Sequence, residues 1–361
     1  MDIQNDDFEG EEEDSSPFKF VDGENAERFE HFRFVVDRGQ SPLRVDKFIS
    51  DRIEGCSRNR IQNAADAGMI FSNGKVIKSN YKVKPLDIIT IEMGWEKHET
   101  HILPEDIPLN IVYEDEELMV VNKPAGMVVH PGHGNYEHTL LNAVSYHWKD
   151  CSSFDSNDPR LGLVHRIDKD TSGLLVVAKT PTAKTFLGNQ FFNKTTKREY
   201  IALVWGNIEE DKGDIEGNIG RDPKNRECFK VFTGEDKDKG KTAKTHYFVE
   251  ERFGYTTMVR CILETGRTHQ IRVHMKHIGH TLFNDAHYGG NEILRGTTSA
   301  KYRQFVQNCF TLCPRQALHA KTLGFIHPTT KKELFFSSEL PKDMNALMEK
   351  WRGYNAYTES I

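Results

Sequence analysis

One stretch of this 361-residue chain sets charged groups at the mouth of an apolar run. In Leu163-Val164-His165-Arg166-Ile167-Asp168-Lys169-Asp170-Thr171-Ser172-Gly173-Leu174-Leu175-Val176-Val177-Ala178-Lys179, polar residues give way to Leu174–Ala178, a run of a length that suits a buried strand. Thr171-Ser172-Gly173 supplies the turn. Ionised groups in such a place are costly unless they are paired or working. Arg166 and Asp168 stand two residues apart, so in an extended segment both side chains point to one side. Residue types alone leave two readings open: a polar loop entering a strand, or a carboxylate and a guanidinium aimed at one substrate.

Two further segments join it. Val121-Asn122-Lys123-Pro124-Ala125-Gly126-Met127-Val128-Val129-His130-Pro131 precedes it, and Glu264-Thr265-Gly266-Arg267-Thr268-His269-Gln270-Ile271-Arg272-Val273-His274-Met275 follows. With HRIDKDTSGLLVVAK, these resemble three motifs of the RluA/RluD-type pseudouridine synthases, the first two of which read KPxGxxVHP and HRLDxxTSGLL. Ile219-Gly220-Arg221-Asp222, Gly240-Lys241-Thr242-Ala243 and Leu318-His319-Ala320 are weaker matches in the same order, and the resemblance runs from about residue 42 to about residue 340.

The resemblance implies an isomerase that turns uridine into pseudouridine within an RNA chain. The N1–C1′ bond breaks, the uracil turns, and C5 is joined to C1′. Uracil is retained, so no cofactor and no metal is expected. Asp168 falls on the family's catalytic aspartate. It would attack C1′ or take the 2′ proton, and residue type does not separate these routes. Either route needs an ionised carboxylate, which burial disfavours; Arg267 is the expected partner that keeps it charged. Tyr200, in Lys197-Arg198-Glu199-Tyr200, matches the tyrosine that lies against the uracil and is a candidate acceptor of the C5 proton. Arg166, with His165 beside it, and Ile271 are expected at the substrate. A uridine in folded RNA must be swung out of its stack, at a cost of a few kcal/mol, and Arg166 would fill the vacated stack or clamp a neighbouring phosphate. Asp170 falls at a variable position and reads as a turn residue.

The fold so implied is α+β: a catalytic domain on a mixed, mainly antiparallel sheet with flanking helices and a central cleft, plus a small RNA-binding domain. Strands are predicted at Leu118–Asn122, Leu174–Ala178, Glu199–Val204, Thr245–Glu250, Thr257–Leu263 and Leu334–Phe336, and helices at Thr139–His147, Thr182–Phe192 and His269–His277. Glu235–Lys241 reads as a hairpin tip or a loop. The domain limits are 1–40 (acidic tail and lead-in), 41–93 (small domain), 94–104 (linker), 105–345 (catalytic domain) and 346–361 (C-terminal tail).

Within 41–93, Leu43, Val45, Phe48, Ile49 and Ile53 recur at helical spacing up to Gly55, and Ser57 is a candidate N-cap for a second helix that ends at Gly68. Asn73-Gly74 signals a hairpin. This pattern resembles the S4-like domain, named after the fourth protein of the small ribosomal subunit. The resemblance places Arg44, Lys47, Arg58, Arg60 and Lys75 on an RNA-facing surface, where phosphate contacts give affinity and register. Asn63-Ala64-Ala65-Asp66 departs from a stretch usually more basic.

The net charge of −6 looks wrong for an RNA binder until it is divided. Residues 1–16 hold eight acids and no Lys or Arg, which leaves +2 for the remainder. That run reads as a disordered, solvated tail. Six scattered cysteines without a CxxC pair suit reduced thiols in a cytoplasm, and no apolar run reaches the length of a membrane span. The expected protein is a cytoplasmic monomer whose partner is RNA, foremost the ribosomal RNA of an assembling large subunit.

Other readings stay on the page. The chain could be an RNA-binding or ribosome-assembly protein that has lost the reaction. A glycoside hydrolase needs two carboxylates about 5–9 Å apart, and only Asp168 is well placed. His269, His274, His277, His280 and His287 match no zinc spacing. In Gly279–Gly289, Thr281 and Asn284 replace the family's proline and glycine, and Asn tolerates positive φ.

Overall fold

The structure, a computed structural model, describes residues 29–53, 56, 58–93, 102–132, 135–151, 160–225 and 227–359. The acidic run 1–16, Gly55, Ser57 and linker residues 94–101 lie outside them. The described residues form two compact units, 29–93 and 102–359, each with hydrophobic clusters of its own.

The small unit runs β1 (Phe29–Val35), β2 (Leu43–Arg44), α1 (Val45–Ser50), α2 (Arg58–Asp66), β3 (Ile70–Ser72), β4 (Lys75–Val76), β5 (Lys82–Val83) and β6 (Ile88–Met93). Its sheet has the order β1-β6-β3-β4, with β2 and β5 paired apart. Val45, Phe48 and Ile49 of α1 and Ile61, Ala64 and Ala65 of α2 are buried in one core with Ile89 and Ile91. Asn73 (φ 50) and Gly74 (φ 75) both take positive φ in the β3–β4 hairpin, as a two-residue Asn-Gly turn requires. The unit starts earlier than the expected residue 41. Antiparallel pairing of β1 with β6 brings Phe32 and Phe34 onto the core, an alternation that the acid-rich lead-in hides.

The large unit runs β7 (Ile111–Glu114), β8 (Leu118–Lys123), α3 (Leu140–His147), β9 (Ser172–Ala178), α4 (Pro181–Phe192), β10 (Lys197–Trp205), β11 (Lys212–Arg221), β12 (Phe229–Phe232), β13 (Lys241–Arg252), β14 (Thr256–Leu263), α5 (Gln270–His277), α6 (Ala300–Leu312), β15 (Leu318–Ile326), β16 (Glu333–Ser337) and α7 (Lys342–Glu359). One sheet has the order β12-β11-β13-β14-β10-β15-β9-β8-β7, with β16 against β15. Among the described residues only β15 and β9 pair in parallel, so the sheet is mixed and mainly antiparallel. Residues 233–240 are not a hairpin tip: β12 and β13 flank β11 on opposite sides, and the segment crosses between them. Residues 346–359 of the expected tail are helical. Met344, Leu347, Met348 and Trp351 form one buried stripe of α7, the spacing of a packed helix.

Among the described residues of this unit burial keeps the rings of His165, His274 and His319, and of the largely buried His269, neutral. Burial pushes His165 down to about 3, and His269, His274 and His319 each to about 4. Unfolded imidazoles take up protons near pH 6.5, so the unfolded state holds more protons between these limits. Stability therefore falls as pH drops from about 6.5 towards 4, by up to about 1.4 kcal/mol per pH unit for each ring. Denaturant unfolding at pH 7 and pH 5 should show a lower midpoint at pH 5; equal midpoints would contradict the burial of these rings.

Candidate active site

Strand β9 lies between β8 and β15, and the turn that precedes it carries Asp168. Gly173 lets this strand begin so close to its parallel neighbour. At φ 120, a Cβ there would lie 2.2 Å from the Ala320 carbonyl oxygen. The Asp168 carbonyl accepts the Thr171 N–H. The next carbonyl, Lys169 O, is gripped twice, by the Gly126 N–H at 2.9 Å and by Lys123 Nζ at 2.9 Å. Lys123 is itself buried and also donates to Pro124 O and Met127 O, both at 2.8 Å. Burial pushes its pKa down to about 7, while three carbonyl acceptors match the three donors of its ammonium. The first motif thus anchors the turn that carries Asp168.

The Asp168 carboxylate meets Arg272, not Arg267. Arg272 Nη1 donates to Asp168 Oδ2 at 3.0 Å, and the rest of its fork grips Asp285, Nε to Oδ2 at 2.8 Å and Nη2 to Oδ1 at 2.9 Å. Arg272 is buried, and the Asp285 side chain is 1% exposed. Arg267 is held elsewhere: its N–H donates to Gln270 Oε1 and its Nε to Thr242 O at 3.1 Å. The physical reason is the start of α5. Gln270 uses its side chain to fix Thr265, Arg267 and Thr245, and His269 takes a left-handed conformation at φ 55 just before the helix. Arg267 therefore stays with the preceding loop, while Arg272 rides on the helix to the carboxylate.

His269 completes the acid's surroundings. Its Nε2 is 4.0 Å from Asp168 Oδ2, and its Nδ1 is 2.8 Å from Tyr288 Oη. Tyr288 Oη accepts the Phe229 N–H, so its own proton is available to Nδ1. That tautomer turns an Nε2–H towards Asp168. Burial alone would raise the Asp168 pKa, yet His269, Arg272 and Arg166 hold it below its ordinary value. Since His269 is neutral above about pH 4, the arginines, Arg272 nearest, keep the carboxylate ionised at neutral pH. Among the described residues its polar contacts all fall on Oδ2, which leaves Oδ1 for a substrate.

Tyr200 of β10 is buried in the core cluster that also holds Ile167 and Ile271. Burial raises its pKa, with Arg198 and Asp168 acting in opposite senses. Among the described residues its hydroxyl makes no hydrogen bond. Arg166 is exposed next to the turn. His165 is not a substrate ligand: its Nε2 accepts the Val176 N–H at 3.1 Å and its ring stacks on Phe191 at 4.3 Å. Its ring is thus spent on holding the strand.

Sequence reasoning passed over Arg272, Asp285, Tyr288 and the His269 contact. All four sit in the third motif, Glu264–Met275, or in the segment Gly279–Gly289. Asn284 does take positive φ (57), but the segment carries chemistry as well as a turn. Among the described residues no group of three His, Cys, Asp or Glu is disposed to hold a metal ion, and no helix is long and apolar enough to cross a membrane.

In the small unit, Arg44 and Arg58 close around Asp46, a fully buried carboxylate, at 2.8 and 3.2 Å. Hydrogen bonds from Arg44, Gln62, Arg58 and the Lys47 N–H outweigh its burial and hold it far below the usual carboxylate range. Lys47 and Lys75 are exposed, and both arginines remain about half exposed. The Arg60 side chain lies outside the described residues.

The large unit is thus an α+β scaffold that carries a charged turn at the start of β9. The RNA pseudouridylate synthase family model matches residues 117–277, which span Asp168, Tyr200 and Arg272. An uncharacterized RNA pseudouridine synthase of Chlorobaculum parvum is 45% identical over 318 residues, 88% of this chain and 96% of the relative. The ribosomal large subunit pseudouridine synthase D of Zymomonas mobilis is 42% identical over 308 residues, 85% and 93% of the two chains. The solved structure of human RNA pseudouridylate synthase domain containing 4 shares the fold, with a TM-score of 0.53 and 21% identity over 67% of this chain and 93% of that one. This chain belongs to the RNA pseudouridine synthase family and is an isomerase.

Proposed function

We propose that the chain converts specific uridines of large-subunit ribosomal RNA into pseudouridine, and that Asp168 meets a nucleotide flipped out of its helix. The observation that carries this reading is the buried Asp168–Arg272–Asp285 chain, which keeps one carboxylate ionised with an oxygen to spare. An ionised carboxylate serves both routes, attack at C1′ and removal of the 2′ proton. Tyr200 would lie against the base. Arg166, two residues from Asp168, would enter the gap left in the stack. The ribosomal target is supported by the names of relatives about 40% identical over most of the chain. Pseudouridines mapped in large-subunit rRNA from cells with and without this protein test the reading. Loss of one or more sites is expected; an unchanged map would remove the ribosomal target.

The small unit would supply affinity in the manner of an S4-like domain, through Arg44, Lys47, Arg58, Arg60 and Lys75. A protein beginning at residue 102 keeps the cores of the large unit. It should bind RNA more weakly and with a flatter salt dependence, the slope falling by about 0.7–0.9 per lost phosphate contact. Equal affinity and slope in a filter-binding titration would refute this role.

A further inference from the structure

Among the described residues Arg198 is a buried guanidinium with no acceptor and no counter-ion. It stands two residues before Tyr200 on β10, is 8% exposed, and among the described residues makes no ion pair and no hydrogen bond. Its Nε is sealed from solvent without an acceptor. Its guanidinium carbon lies 5.4 Å from the centre of the Phe191 ring, a cation–π contact that supplies no acceptor oxygen, and Nη1 would lie 3.1 Å from a Cβ on Gly266, in the loop that leads to His269 and Arg272. Every other buried arginine among the described residues of the large unit is engaged. Arg272 holds Asp285 and Asp168, and Arg315 holds Asp343 and the Asp170 carbonyl. A lone buried cation is a standing cost to the fold, so its retention next to the site points to an oxygen that arrives with the substrate.

We propose that Arg198 is a specificity-determining residue that donates to the O4 carbonyl edge of the flipped uracil. This rests on the pseudouridine synthase reading of the same site. Arg198 and Tyr200 are buried two residues apart on β10, and Arg198 Nη1 lies against the Gly266 loop, which leads to the His269 and Arg272 beside Asp168. That order suits a flat base: sugar at Asp168, ring against Tyr200, far edge at Arg198. A guanidinium has donors only. Uracil offers an acceptor at position 4 and cytosine an amino donor, so the same group that welcomes one base opposes the other. A phosphate oxygen shares the acceptor chemistry, but the depth of the side chain favours a planar base over a backbone group.

The test uses the full-length protein with Arg198→Met and Arg198→Lys. Melting temperature comes first and needs no RNA. Met removes the unpaired charge and should melt no lower than wild type, whereas a fall would mark Arg198 as structural and overturn the assignment. On a large-subunit rRNA transcript that wild type modifies, Arg198→Met should lose about ten- to a hundredfold in kcat/KM, the worth of one hydrogen bond to a charged donor, and Arg198→Lys less. Wild-type rate in Arg198→Met overturns the proposal. With 4-thiouridine at the target, wild type should slow and Arg198→Met should not slow further. If methylphosphonates at the flanking phosphates give that pattern instead, the oxygen is a phosphate's and the base assignment falls. Failure of wild type on the transcript would count against the ribosomal target, while the melting result still judges Arg198.

Discussion

Asp168→Asn abolishes pseudouridine formation, by at least about 10⁴-fold, while RNA affinity stays within a few-fold. The side chains are nearly the same size, so the turn keeps its anchors on the Lys169 carbonyl, which do not involve the carboxylate. Arg272 keeps its two bonds to Asp285, so no buried cation is stranded. What disappears is the anion, which either proposed route requires. Nucleoside mass spectrometry of RNA incubated with the variant reads the product, and a filter-binding titration reads affinity. Unchanged turnover would refute the role of Asp168; loss of binding in step with activity would place the residue in recognition instead.

Much of the fold was legible because local rules and tertiary needs agreed. Leu174–Ala178 reads as a buried strand and is one, extended to Ser172 at the parallel pairing with β15. Asn73-Gly74 reads as a two-residue hairpin because the backbone twist demands positive φ, and both residues have it. The third motif was harder. It offers two arginines five residues apart, and spacing cannot say which one reaches a carboxylate 104 positions away. That choice is made by Gln270, whose side chain ties Arg267 to the loop. The stripe Met344, Leu347, Met348 and Trp351 was there to be read in the last twenty residues, but short apolar signals beside a chain end pass for a tail. Asp285 was hidden differently: in sequence it is one acid in a turn, and only burial against Arg272 gives it a function.

Arg272 carries the second large effect, and its outcome separates it from Arg267. Arg272→Met removes a buried cation shared by two carboxylates, and leaving Asp285 without its partner should cost about 3–5 kcal/mol of stability. Adding Asp285→Asn removes that stranded charge and should restore most of the melting temperature. Activity should not return, because Asp168 is still buried and has lost its closest cation. Its pKa then rises, since burial is no longer opposed by Arg272, its closest cation. The sign follows: a carboxyl with a raised pKa is ionised less as pH falls, so the residual rate of the double variant should climb with pH across the range where wild type is flat. Arg267→Ala, which gives up a bond to the Thr242 carbonyl, should keep its rate within a few-fold. A double variant that is stable and fully active, or an Arg267→Ala protein as damaged as Arg272→Met, would show that the helix arginine is not what keeps Asp168 charged.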